Sequence, residues 1–513
     1  MFLAAENGAL PGGKVGGVGD VARELPAALC AEGWQTSVLT PSYGMFARLP
    51  GACKLASVQV PFRGVSESVA VHEVPGSVDR ARNLVFEHAL FAPFGPGKIY
   101  CHDEDDRPFA TDASKFALFG SAAAAYIDQL AETPDVVHLH DWPAALYLLL
   151  KNFSADYRRL RDIRTVFTIH NLAYQGTRPI DGDDSSLNAW FPQLEYDPEL
   201  VRDPEHAQCL NPMALAIRSA DCVSTVSPTY AREICSPSDP TRGFVGGEGL
   251  DSDLAAIAAR DGLVGILNGC EYPQPVGRRP GWQRIVTLAK AQAAAWQQSV
   301  TSNRAHALAA ARLNALPSRR RQHLLVSIGR LVQQKVRLFL EPMTDGRPAL
   351  EHILGALGSK GVLFFVGSGE ADLERRLLDI AERYANLVFL CGYSETLADP
   401  LYRGGDLFLM PSSFEPCGIS QMLAMRSAQP CVVHEVGGLA DTVEDGVTGF
   451  VFDGVGPTEQ AAAFVATTRR ALHLRTANSA QWQEICRRAA AQRFDWKTSA
   501  RQTIDSVYDD ARN

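Results

Sequence analysis

The sequence predicts an α/β protein of two Rossmann-like domains in series, facing across a deep cleft. Short apolar runs rich in Val, Ile and Phe recur along the chain, each stopping at a Gly, His, Asp, Asn or Ser cluster and leading into a helix-period segment. The 513 residues suit two large domains, at a soft prior of roughly 150 residues for an ordinary one. Between about Tyr272 and Arg321 the strand pattern lapses into Pro, Gly, Arg and Ala-rich sequence, which places a hinge there with at least one helix around 284–312.

In the first half the strands fall at 35–40, 135–140, 164–169, 221–226 and 263–267, after a short N-terminal one. In the second they fall at 323–328, 361–366, 386–391, 406–410 and 430–434. Helices are expected at 20–32, 142–151, 370–384 and 418–427, the third because Leu373, Leu377, Ile380 and Ala381 recur at helical spacing opposite a charged face. Ligands of doubly wound sheets sit beyond the carboxyl ends of the strands, so residues at strand ends are the site candidates.

Lys plus Arg number 49 and Asp plus Glu 58, a formal charge of −9 with no basic face for phosphate neutralisation, so nucleic acid is excluded as a partner. The 11 Cys are odd in number and scattered without CxxC, which points to reduced thiols in a cytoplasm. The opening MFLAAENGAL has no basic n-region, Glu6 interrupts its apolar stretch, and no run is long enough to span a bilayer. The expectation is a soluble cytoplasmic protein with no membrane partner.

Five segments carry candidate chemistry. In KVGGVGDV, glycines let backbone N–H groups approach an anion, Lys14 adds a point charge, and Asp20 can cap the next helix; a plain tight turn fits as well. HLHDW and TIHNLAYQG close two strands. His138 and His140 share a strand face, and hydrogen bonding is favoured over metal there because no ligand-spaced carboxylate or Cys accompanies them. Asp141, a carboxylate at a strand's end, costs free energy unless it binds something.

In SIGRLVQQK, Arg330 and Lys335 offer a planar fork and a point charge suited to a diphosphate, or form a solvated pair near a helix start. In PSSFEPCGISQ, Glu415 sits in a strand-to-helix turn where it can accept sugar hydroxyls, and Pro416, Cys417 and Gly418 open the helix. Cys417 lacks a paired general base, so a backbone contact suits it better than a nucleophile's role.

Together KVGGVGDV, HLHDW, FTIHNLAYQG, VSTVSPTYAREI, GEGLD with GILNG, GRLxxQK, FEPCG, GGLADTV and RFDWKTSA resemble bacterial glycogen synthases and plant starch synthases. These are retaining glucosyltransferases of the GT-B fold. The segments occur in family order from near residue 14 to near 500.

The resemblance implies glucose transfer from ADP-glucose to the non-reducing end of an α-1,4-glucan, with no metal and no cofactor besides the donor substrate. It implies an N-terminal acceptor-side domain over 1–275, a nucleotide-sugar domain over 276–490, and a final helix within 491–513 crossing back to the first domain. Arg330 and Lys335 would hold the leaving diphosphate. Glu415, with Cys417 and Gly418, would grip the glucose hydroxyls, beside Gly437 and Gly438. Lys14, Gly16, Gly17 and Asp20 would meet donor phosphate or glucose, while Asp141, His170 and Asn268 line the sugar and acceptor side. Tyr393 would pack on the adenine. Among these, Glu415, Arg330, Lys335, His170 and Asp141 are the catalytic candidates.

The chain departs from the family pattern at named positions. Val15 replaces a Thr, Val336 a Gly after Gln-Lys, and Ser413 an Arg before Phe-Glu-Pro-Cys-Gly. His434, Glu435 and Val436 replace Arg-Arg-Thr, a local charge change of about −3 with His neutral. Val336 would strain its turn if that position needs positive φ. Glu271 stands near the position of a family Asp. Two alternatives stay open: the same fold and retention with another nucleotide-glucose donor or a small acceptor, and a homologue that binds glucan without turnover.

Overall fold

The computed structural model describes residues 1–78, 80–272, 278–299 and 303–508. The expected boundary between 275 and 276, and the last five residues of the expected final segment, lie outside the described residues. The chain divides into two compact units. One comprises Met1–Ser238, Gly246–Gly269 and Trp496–Asn513; the other comprises Asp239–Val245 and Cys270–Asp495.

The first unit holds β1 (Phe2–Leu3), β2 (Ser37–Pro41), β3 (Cys53–Phe62), β4 (Val65–Val74), β5 (Arg82–Glu87), β6 (Val136–His140), β7 (Arg164–Ile169), β8 (Arg178–Pro179), β9 (Cys209–Leu210), β10 (Cys222–Thr225) and β11 (Leu263–Gly265). Nine of them form one sheet in the order β11-β10-β7-β6-β1-β2-β5-β4-β3, while β8 and β9 pair separately. From β11 to β5 the pairing is parallel. The strand order reverses between β1 and β6, the place where a doubly wound sheet opens a crevice for ligand.

The β3–β4 hairpin joins antiparallel at the edge and is absent from the sequence expectation. Its strands alternate rather than run apolar: Val58, Val60 and Phe62 are buried, while Gln59 and Pro61 are exposed. A search for continuous buried runs passes over such a half-solvated edge.

Helix α1 (Gly17–Ala31) begins three residues earlier than expected, α2 (Ala110–Asp128) was not expected, and α3 (Trp142–Phe153) follows β6 directly. Within α2, the Lys115 ammonium is fully buried yet satisfied, 2.6 Å from both Asp112 and the Ile99 carbonyl. The C-terminal helix Trp496–Thr503 packs on α1, and Ala500, Val507 and Tyr508 enter the same core cluster as Phe2, Val21 and Val166.

The second unit holds β12 (His323–Ile328), β13 (Gly361–Gly367), β14 (Leu387–Cys391), β15 (Leu407–Met410), β16 (Cys431–His434) and β17 (Phe450–Phe452), all parallel in the order β14-β13-β12-β15-β16-β17. Alternate side chains feed two cores. Leu325, Leu363, Phe365 and Phe389 enter one, and Leu324, Val326, Phe364 and Val388 the other. This sheet reverses its order between β12 and β15. The helix Ala371–Arg383 buries Leu373, Leu377, Ile380 and Ala381. The stretch expected to carry at least one helix around 284–312 carries two among the described residues, Trp282–Gln297 and Arg304–Asn314; residues 300–302 lie outside the described ones.

Candidate functional site

In the first unit the loop after β1 and the end of β6 meet at the order reversal. The loop's fixed point is Glu6, which is 3% exposed. Its carboxylate accepts hydrogen bonds from the N–H groups of Val15 and Gly16, both at 2.7 Å, and from the Tyr100 hydroxyl at 3.2 Å. The glycine loop therefore aims two of its N–H groups at an internal carboxylate instead of leaving them to an outside anion. Lys14 pairs with Asp20 at 2.7 Å. Asp20 is not the expected helix cap: α1 starts at Gly17, Gly16 is the N-cap residue, and Asp20 lies in the first turn. Nothing stands within 4 Å of the place where Gly17 would carry a Cβ.

At the end of β6, Asp141 turns the chain with φ +55°, a strained value for a non-glycine residue in a strand-to-helix corner. Its Oδ1 accepts the His170 N–H at 2.7 Å, joining the ends of β6 and β7. Burial, helped by the nearby Glu6 carboxylate and opposed by the backbone N–H groups of His170 and Asn171, pushes the Asp141 carboxyl up to about 7. Burial lowers His170 to about 3, so its ring is neutral at working pH.

His138 donates or accepts at both ring nitrogens, to Tyr508 Oη at 2.7 Å and Thr168 Oγ1 at 2.5 Å. Asn268 lies half-buried in the loop after β11, beside Gly269, where an added Cβ would stand 2.6 Å from the Trp496 backbone nitrogen.

Because its folded-state pKa is raised, Asp141 stabilises the fold only while protonated. That contribution is complete below the unfolded carboxylate pKa and is lost as pH rises toward 7. Asp141→Asn is therefore expected to flatten the fall in melting temperature between about pH 4 and 7. A pH series of thermal melts checks this, and identical slopes in both proteins would contradict it.

In the second unit a pocket opens at the β12/β15 reversal. Its lining includes Gly329, Arg330, Lys335, Pro411, Ser412 and Ser420. Glu415, 5% exposed, accepts from Ser412 Oγ at 2.9 Å and forms an ion pair with Lys335. Two further bonds lock the loop to the helix Gln333–Leu340: Ser413 N–H to Gln334 O at 2.8 Å, and Gln334 Nε2 to Phe414 O at 3.0 Å. Arg330 is exposed, and its guanidinium has no partner among the described residues. One cation is thus tethered and the other uncommitted.

Pro416, Cys417 and Gly418 do not open a helix: Gly418 has φ +75° and the helix is Ser420–Met425, because the chain first makes a left-handed turn. Gln421 Nε2 ties down that turn through the carbonyls of Cys417 and Gly418. Gly438 donates its N–H to the Glu415 carbonyl at 3.0 Å and presses on Cys417, while Gly437 has φ +42°. Tyr393, two residues past β14, is 64% exposed.

The departures from the family pattern now have places. Val336 is helical and 1% exposed in the core, so the conditional strain does not arise; the position needs no positive φ. His434 is buried, stacks on Phe452 at 5.1 Å and meets the Ser412 carbonyl through Nδ1 at 3.0 Å. It braces the Ser412–Glu415 turn and does not line the pocket. Glu435 is exposed.

Sequence reasoning assigned no role to Glu6, Tyr100, Ser412 or Gln334. For Glu6 the available signal was an acid between a short strand and a glycine loop. Tyr100 and Gln334 act by tertiary contact alone, and Ser412 acts within its own turn, three residues from Glu415.

Residues 1–256 match the family model of the starch synthase catalytic domain, and residues 322–473 match glycosyl transferases group 1. A glycogen synthase of Anaeromyxobacter sp. is 36% identical over 518 residues, covering 99% of this chain and 98% of its own. One of Gloeobacter violaceus is 33% identical, covering 98% and 97%. The catalytic domain of starch synthase IV from Arabidopsis thaliana, solved bound to ADP and acarbose, superposes with a TM-score of 0.76 at 26% identity, covering 99% and 98%. Sucrose-phosphate synthase from Thermosynechococcus elongatus, at 18% identity and TM-score 0.55 over 99% of this chain and 98% of its own, shares the fold. With two Rossmann-like domains of the GT-B class and full-length relatives of this kind, the chain belongs to the glycogen and starch synthase family of glycosyltransferases.

Proposed function

We propose that the protein transfers glucose from ADP-glucose to the non-reducing end of an α-1,4-glucan, with retention. The observation that carries this reading is the cation pair at the β12/β15 reversal: Arg330 uncommitted, Lys335 tethered to the buried Glu415. The ADP and acarbose bound by the Arabidopsis relative support the same donor and acceptor classes.

As the glycosidic C–O bond breaks, charge builds on the diphosphate. Arg330 and Lys335, fixed in advance, stabilise it there without a metal ion. Glu415 accepts sugar hydroxyls, held in place by Ser412 and by Gly438 against Cys417 and Gly418, with Gly437 beside them. A phosphate oxygen of the departing ADP takes the proton of the acceptor hydroxyl on the same face. Tyr393, exposed beyond β14, packs on the adenine.

The first unit serves the sugar and acceptor through Asp141, His170 and Asn268, with Lys14, Gly16, Gly17 and Asp20 at the glycine loop. For the domain roles we take an acceptor side over 1–275, a donor side over 276–490 and a terminal segment over 491–513, in which the residues up to Asp495 pack with the second unit and those from Trp496 with the first. Among the described residues no helix is long and apolar enough to cross a membrane, and we place the activity in the cytoplasm.

The test is nucleotide release by the purified protein from ADP-glucose and UDP-glucose, with and without glycogen. Glycogen-dependent ADP release is expected, with maltooligosaccharides growing by single glucose units. Release from UDP-glucose alone would reassign the donor, and release from neither would refute transfer.

A further inference from the structure

The pairing of β6 with β7 sets His140 opposite Thr168, and His170 lies one residue past the end of β7. His140 Nδ1 and His170 Nε2 are 2.9 Å apart. His140 is 1% exposed, its ring stacked on Phe2 at 5.3 Å and on His138 at 4.3 Å. His138 is itself held between Tyr508 and Thr168, so the stack is braced from both sides. His140 Nε2 has no hydrogen-bond partner among the described residues.

Burial keeps both rings neutral, and two neutral rings sharing one hydrogen bond admit two arrangements. If His170 donates, His140 must carry its proton on Nε2, where a buried donor is left with no acceptor. If His140 donates from Nδ1, its Nε2 is a bare lone pair and no buried proton is stranded. An orphaned buried N–H is the rarer and costlier defect, so the second arrangement prevails. It leaves His170 with Nε2 accepting and the proton on Nδ1. That nitrogen has no partner among the described residues, and His170 is 9% exposed.

We propose that His140 is a positioning residue that fixes His170 as the Nδ1–H tautomer, so that His170 presents an N–H donor to a hydroxyl of the bound sugar. The inference rests on the reading of His170 as a sugar contact, and its tautomer half can be tested apart from it.

Long-range proton–nitrogen correlation spectra of the full-length protein, labelled in its His side chains and assigned with a His170→Gln variant, read the tautomer directly. Nδ1 protonated and Nε2 bare at neutral pH is expected. The opposite tautomer, or a doubly protonated ring, overturns the proposal whatever the activity.

In kinetics, His140→Asn keeps a donor near the Nδ1 position and is expected to retain most of kcat. His140→Phe keeps the stacking and loses the donor, and is expected to lower kcat by about ten- to a hundredfold with KM little changed. Equal losses in Asn and Phe, or no loss in Phe, refute the positioning role. His170→Ala separates the two readings: full activity in that variant removes the sugar contact while the spectra still decide the tautomer. If His140→Phe does not fold, the wild-type spectra and His140→Asn decide.

Discussion

Arg330→Ala is expected to lower kcat by about thirty- to a thousandfold, roughly 2 to 4 kcal/mol of transition-state stabilisation, with no change in melting temperature. Its side chain is exposed and has no hydrogen-bond or ion-pair partner among the described residues, so a rate effect without a stability effect belongs to the ligand. Lys335→Ala is expected to match it in rate but not in stability. Removing that ammonium strands the Glu415 carboxylate, whose side chain is 6% exposed, with only Ser412 among the described residues to satisfy it. A buried acceptor deprived of its partner costs about 1 to 3 kcal/mol.

Glu415→Gln removes the charge while leaving a partly exposed lysine that water can solvate, so its melting temperature should fall less. The double variant Lys335→Met with Glu415→Gln should then recover stability without recovering rate. Steady-state kinetics and thermal melts on the four proteins read this out. A normal rate in Arg330→Ala would remove the diphosphate assignment. A melting temperature in Lys335→Ala equal to wild type would mean that the ion pair contributes nothing to the fold.

Gly438→Ala is the second large effect. A Cβ there would stand 2.5 Å from the Cys417 Cα and closer still to its carbonyl oxygen, both backbone atoms that no side-chain rotation can move. The Glu415–Gly418 turn must shift instead, and Gly438 also loses its register for the bond to the Glu415 carbonyl. Overpacking of this kind costs about 1 to 3 kcal/mol, and if Glu415 holds the sugar as proposed, displacing its carboxylate by an ångström costs about a hundredfold in rate. Gly17→Ala in the first unit is the contrast, since its Cβ would enter open space. Equal stability and activity in Gly438→Ala would show that the turn is softer than its packing implies.

The sequence by itself determined the periodic frame of this protein: parallel strands where apolar runs end at polar clusters, the amphipathic helix expected over 370–384 and found at Ala371–Arg383, and the chemistry-bearing segments that place the chain in its family. Those features depend on local spacing, which a linear reading can measure. What only the tertiary structure decided was where each polar group spends its hydrogen bonds. Glu6, ten residues ahead of Gly16, takes the loop N–H groups that composition offered to an anion. Lys335 and Glu415, eighty residues apart, became one ion pair, and His434 became a brace for the Ser412–Glu415 turn. Val336, suspect as a turn residue, proved to be core, and the β3–β4 edge carried too little continuous hydrophobicity to announce itself. Partners distant in sequence leave no periodic trace, and a buried donor or acceptor reveals its role only when the fold brings its complement within reach.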